Sequence, residues 1–185
     1  MTTRLLLAAA VVAALSACAS TPPMPMPMFS QAALPDAVKV PAGHAVAMET
    51  VGVGEITYEC KAKAGPTAMA GEFEWVFVGP KAVLNNRSGR AVGSYYGPPA
   101  TWEAADGSKI TGAQLAVAPS SAGNIPLQLV KANAAMGVGA MSGISHIQRV
   151  ATKGGVAPAM PCATASMGQR QVVAYQADYI FWKAM

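Results

Sequence analysis

The sequence predicts an all-β protein, a single antiparallel sandwich or barrel domain carrying one short helix. Three observations predict it. Apolar and polar residues alternate at period two in several short runs. Turn-forming groups punctuate those runs: Gly79-Pro80, Asn85-Asn86, Ser88-Gly89, Gly97-Pro98-Pro99 and Asp106-Gly107. Glycine and proline, 18 and 14 of 185 residues, are too frequent for a helical bundle, whose interior they would break. Short strands between regular turns favour a sandwich or a barrel.

Residues 1–17 read as a signal peptide. One positive charge, Arg4, precedes an uninterrupted apolar stretch over 5–15, which is 11 residues long. A bilayer-spanning helix needs about 20 residues, so this stretch is an export signal rather than a span. Leu15-Ser16-Ala17-Cys18 follows directly and resembles the bacterial lipobox. The resemblance implies that Cys18 receives a diacylglyceryl group, that cleavage falls before it, and that the new amine is acylated. Two or more acyl chains suffice for stable attachment, at about 0.8 kcal/mol per buried methylene. Ala19 stands where an Asp would resemble an inner-membrane retention signal, so the likeness implies outer-membrane sorting. Residues 18–33 form a tether. Its run Pro22-Pro23-Met24-Pro25-Met26-Pro27-Met28 favours an extended polyproline II spacer.

The β domain is expected over 34–185. In 54–60, Ile56, Tyr58 and Cys60 alternate with Glu55, Thr57 and Glu59. In 72–78, Phe73, Trp75 and Phe77 share one face. Further strands are expected at 82–84, 91–96, 109–118, 144–150, 171–175 and 179–182. The short helix is expected at 126–136, with Asn124 as its cap, Pro126 in its first turn and Gly137 beyond its end.

Charged residues make up only 12% of the chain, and the net charge is +4 with its 13 basic residues scattered singly. Nucleic-acid binders carry clustered basic stripes, so nucleic acid is not an expected partner. Once Cys18 is assigned to lipid, Cys60 and Cys162 remain as one pair in an oxidising compartment, and a bridge between them is expected. No zinc or other metal site is predicted. His44 and His146 stand far apart, and no Cys/His ligand cluster exists. No cofactor is implied: Gly137-Val138-Gly139-Ala140-Met141-Ser142-Gly143 departs from both the dinucleotide and the phosphate-loop patterns, and its glycines suit turns or close backbone approach. Glu103 and Asp106, flanking Trp102, are weak catalytic candidates, because paired carboxylates cleave glycosides at suitable separations. The bland alternative is a solvated turn at Asp106-Gly107. Tyr95, Tyr96 and Trp102, beside Pro98 and Pro99, form a candidate ligand surface, since flat aromatic faces hold sugars and peptides. Their bland alternative is core packing.

Several phrases, read in order, carry a wider likeness. They include Tyr58-Glu59-Cys60, Trp75-Val76-Phe77 with Gly79-Pro80-Lys81-Ala82, Trp102-Glu103 and Asp106-Gly107-Ser108-Lys109. Later come Ile147-Gln148-Arg149-Val150, Gly154-Gly155, Cys162 and Ala177-Asp178-Tyr179. Over roughly 34–182 the chain resembles a secreted family of bacteria and fungi known as domain of unknown function 3455. The resemblance implies a disulfide between Cys60 and Cys162 and no established reaction. Where that family often places a His before the Gly-Pro turn, this chain has Ser94-Tyr95-Tyr96, so a role of that His does not carry over. Tyr58–Cys60 is also similar to the Tyr-x-Cys strand of periplasmic lysozyme-inhibitor lipoproteins, a likeness confined to those residues. The expectation is a lipid-anchored cell-envelope protein of the outer membrane with a non-enzymatic binding or structural role, its partner an envelope glycan or protein. The alternatives are a carbohydrate-active hydrolase and an inhibitor of a cell-wall lytic enzyme.

Overall fold

A computed structural model describes residues 29–66, 68–69 and 71–185. The signal peptide, Cys18 and the Pro/Met run lie outside the described residues. Eight strands follow one another: β1 His44–Ala62, β2 Phe73–Asn85, β3 Ala91–Tyr96, β4 Thr101–Ala104, β5 Lys109–Ala118, β6 Leu127–Ala132, β7 Ile144–Gly154 and β8 Arg170–Ala184. Each pairs antiparallel with the next, and β8 returns to pair with β1 along most of its length. The sheet is therefore a closed up-and-down barrel, which leaves no strand edge for another chain.

Period two builds this wall directly. Ile56 and Tyr58 of β1, Leu84 of β2, Ile110 of β5 and Tyr175, Ala177, Tyr179 and Phe181 of β8 turn inward and are buried together. An eight-stranded barrel has an interior about wide enough for its own side chains. Here aromatic rings fill much of it. Tyr95 stacks on Trp102 at 4.7 Å between centroids, and Tyr179 stands 5.0 Å from Tyr95.

The expected helix at 126–136 is a strand instead. Leu127–Ala132 is β6, paired with β5 and β7, and the only helices among the described residues are short 3-10 turns at Asp36–Val38 and Thr164–Ser166. Leu127, Val130 and Ala134 fit a helical face, but Leu127 and Leu129 face outward while Val130 faces in, which is the strand solution. Gly79-Pro80 is not a turn either. It sits inside β2 beside a bulge at Val78, and a Cβ on Gly79 would overlap the Gly97 carbonyl of the 97–100 loop. Close backbone approach, not chain reversal, uses this glycine. The segments expected at 72–78 and 82–84 thus belong to one strand, as do those at 171–175 and 179–182.

A second apolar cluster lies outside the ring. Val38 and Val40 cover Leu129, Val150, Ile180 and Trp182 on the outward face of β6, β7 and β8. Gln148, fully buried, fixes this strap. Its Nε2 donates to the Val38 carbonyl at 2.6 Å and to Gln31 Oε1 at 3.0 Å, and its Oε1 accepts from Trp182 Nε1 at 2.9 Å. Phe29, placed in the tether by composition, packs edge-on against Trp182.

Antiparallel connections alternate between the two ends of the barrel. At one end the 133–143 loop enters as a plug, with Met141 1% exposed among the interior residues. At the other, the 155–169 loop folds onto the long β1–β2 hairpin. Cys60 and Cys162 are joined there by a disulfide with Cα atoms 5.5 Å apart. Tyr58 Oη donates to the Gly155 carbonyl and Trp75 Nε1 to the Met160 carbonyl, both at 2.8 Å. The bridge closes a long loop of the unfolded chain, and losing such a bridge costs about 2–5 kcal/mol. Replacing Cys60 and Cys162 together by Ser is expected to lower the unfolding free energy by that amount, read as a lower urea midpoint, and to open 155–169 to proteolysis before the barrel unfolds. An unchanged midpoint and an uncut loop would reject the role given to the bridge.

Candidate functional site

Two concavities open near the 97–100 loop, whose Gly97–Pro98 and Pro98–Pro99 bonds are both cis. The larger, about 790 Å³, is a depression on the outer wall across β1, β2 and β3. Its side chains Val53, Val83 and Tyr96 are 48%, 47% and 36% exposed, so a molecule lying there would remain largely in water. The smaller, about 380 Å³, lies at the disulfide end and is lined by inward residues from six strands, β2 to β7. Tyr95, Trp102 and Val130 form its apolar side. Gln114 and Gln128, hydrogen-bonded to each other at 2.7 Å, and Arg149 form its polar side. Ligand sites are typically concave and equipped with a few placed polar groups, and the smaller cavity is so equipped, with apolar and polar lining in nearly equal share.

Arg149 is the charged member. It sits opposite Gln128 in the β6–β7 register and shares the inward face of β7 with Ile147. Its Nε and Nη2 both donate to the Pro126 carbonyl, at 3.2 and 3.0 Å. Among the described residues it forms no ion pair, and no lining residue is acidic. Trp102 forms part of the inner wall. Its ring is 1% exposed, and its Nε1 finds no acceptor among the described residues. That N–H is sealed within the packed interior rather than open to the cavity.

Four tyrosines surround this region. Burial pushes the Tyr95, Tyr175 and Tyr179 phenols above their ordinary value, Tyr179 furthest, and pushes Tyr58 up more gently. Arg149 opposes the rise in all four by favouring the phenolate, but burial dominates. These phenols are held neutral. Tyr175 and Tyr179 hydroxyls lie 3.2 Å apart and share one hydrogen bond.

The residues singled out from sequence are dispersed. Tyr95 and Trp102 are interior and line the smaller cavity, whereas Tyr96 is on the outer wall. The single exposed aromatic surface expected at 95–102 is thus split between two faces, because alternate residues of β3 point to opposite sides. Glu103 is also on the outer wall, accepting from Tyr96 Oη at 2.6 Å with Lys109 Nζ at 3.8 Å. Asp106 belongs to the other end of the barrel. Its Oδ1 accepts from Ser108 N–H at 2.9 Å and Ser108 Oγ at 2.6 Å, and its Oδ2 accepts from Ala140 N–H at 2.7 Å. Those bonds, Ser108's hydroxyl first, hold the Asp106 carboxyl below its usual range. Gly139 fits this clamp, since a Cβ there would overlap the Asp106 carboxylate. Asp106 therefore anchors the plug, and neither it nor Glu103 lines either concavity. Arg149, Gln114 and Gln128 were not singled out from sequence. The available signal was Arg149 two residues after Ile147, a charge in phase with a buried face.

Fold and cavity together define an eight-stranded antiparallel barrel with one plugged end and one lined, disulfide-framed end. Comparison with family profiles matches residues 41–183 to Protein of unknown function (DUF3455), and the chain belongs to that family. Comparison with curated proteins gave no match, and comparison with solved structures gave none.

Two outcomes follow from these placements. Trp102→Ala is expected to destabilise the fold by about 3–5 kcal/mol, as other deletions of large buried aromatics do. Tyr96→Ala should cost about 1 kcal/mol or less, since it removes one exposed hydrogen bond. Chemical unfolding of both variants checks the split. The second outcome concerns alkali. Because the buried phenols titrate above their unfolded value of 10.0, their contribution is complete below that pH. Above it the unfolded chain releases protons that the folded chain keeps, so stability falls as pH rises towards the folded values. Unfolding curves between pH 8 and about 11.5 should show that loss. Tyr175→Phe should reduce its slope.

Proposed function

We propose that this protein is a lipid-anchored cell-envelope protein whose barrel acts as a non-catalytic binding module, with its ligand in the cavity at the disulfide end. The observation that carries the reading is that cavity of about 380 Å³, lined by buried aromatics and a few convergent polar groups. It falls within the range of about 300–1,000 Å³ usual for small-molecule sites. The hydrolase alternative lacks support from geometry, because Glu103 is occupied on the outer wall and Asp106 in the plug clamp.

The anchor is assigned to Cys18 rather than to the barrel. Barrels that cross a membrane turn an apolar band outward. Here aromatic and aliphatic residues fill the interior, while exposed Glu55, Lys81, Lys131 and Lys153 lie on strands of the wall. The lipobox-like Leu15–Cys18 and the Pro/Met tether supply the attachment and the distance from the lipid surface.

Cys18→Ala is expected to move the protein from the membrane fraction to the soluble envelope fraction. Unchanged partitioning would remove the anchor. For the binding role, the full chain is purified from envelope membranes and its bound small molecules are identified by native mass spectrometry. Gln114→Phe, which fills the mouth, should abolish the retained mass while circular dichroism stays unchanged. Equal retention by the variant would remove the cavity from the reading.

A further inference from the structure

We infer that the cavity at the disulfide end selects a monoanionic organic molecule, a carboxylate on an apolar body, held by Arg149. The inference rests on the binding role proposed above and adds the chemical class of the ligand. Three features carry it. The cavity contains one cation and no acid. Arg149 keeps Nη1 free of protein acceptors among the described residues, while Nε and Nη2 are tied to the Pro126 carbonyl. The tie fixes the guanidinium plane, and a pre-oriented guanidinium suits a carboxylate edge.

Donors of this kind ask for acceptors, which excludes cationic ligands. The remaining polar pair, Gln114 and Gln128, is already joined at 2.7 Å and adds no charge. A single partly engaged guanidinium balances about one negative charge, so a dianionic phosphate would be left under-compensated. Tyr95 stacked on Trp102 supplies the flat wall for an apolar body. The surrounding phenols stay neutral and therefore do not repel an anion.

The test is calorimetric titration of the full chain, purified in a detergent with an uncharged headgroup. The probes are 4-phenylbutyrate, 4-phenylbutanol, 4-phenylbutylamine and 4-phenylbutylphosphonate, which share one body and differ in the head. The carboxylate is expected to bind about tenfold tighter than the alcohol, with the amine weakest. Arg149→Gln should abolish that preference. The probe series is read on the unaltered chain, so it decides even if Arg149→Gln fails to fold. Equal binding of alcohol and carboxylate overturns the anion inference while leaving a binding cavity in place. Tighter binding of the phosphonate overturns the monoanion assignment. Absence of binding by all four overturns the inference and the cavity reading together.

Discussion

The structure depends on one constraint, the return of β8 onto β1. These strands pair from His44 with Ala184 to Glu59 with Arg170, and without that seam the sheet would have two long open edges. The seam also creates the interior, because closure converts one face of every strand into a common core. Its outer side is braced by Arg87 from the β2–β3 turn, which bonds Glu49 of β1 at 2.9 Å and Asp178 of β8 at 2.6 Å. Glu49 in turn accepts from the Phe29 N–H at 2.7 Å, so the incoming chain is tied to the same junction. Two strands far apart in sequence and the segment nearest the tether are held by one small set of charges.

Closure leaves two ends, and the chain treats them differently. At the plugged end a carboxylate, a serine and a glycine fasten a loop whose methionine completes the core. At the disulfide end the β1–β2 hairpin extends to carry Cys60 and Trp75, and the 155–169 loop is fastened to it rather than driven into the barrel. The plug has no covalent link, whereas the disulfide loop has little buried apolar surface of its own. A covalent staple is the physical substitute for a core at that end. The consequence is an end that is ordered yet concave, which a binding site requires.

The same asymmetry explains the chemistry of the interior. Tyrosines occupy positions where a smaller barrel residue would leave voids, and Gly52 makes room for the Tyr179 ring that crosses towards β1. Burial keeps these phenols neutral, and the hydroxyls of Tyr175 and Tyr58 find partners inside the protein. Arg149 keeps Nη1 free of protein acceptors among the described residues, and it does so at the concave end.

The sequence by itself determined the all-β class, most strands and the true turns, because strand burial writes itself into a period of two. It also marked Cys60 and Cys162 as a pair, since few cysteines leave few options. Tertiary structure decided the rest. Leu127–Ala132 became a strand because β5 and β7 flank it, and local capping signals could not outweigh two ladders of hydrogen bonds. Thr101–Ala104 is too short to show any period, so its pairing was invisible. Gly79-Pro80 looks like a turn locally, but its backbone is needed for close approach to a loop that lies distant along the chain. The candidate site was least legible. Which of Tyr95, Tyr96 and Trp102 faces in depends on the pleat and on ring closure, and Arg149 gains its meaning only from the tryptophan and glutamines that other strands bring beside it. Periodicity is a property of neighbours in sequence, whereas a cavity is a property of neighbours in space.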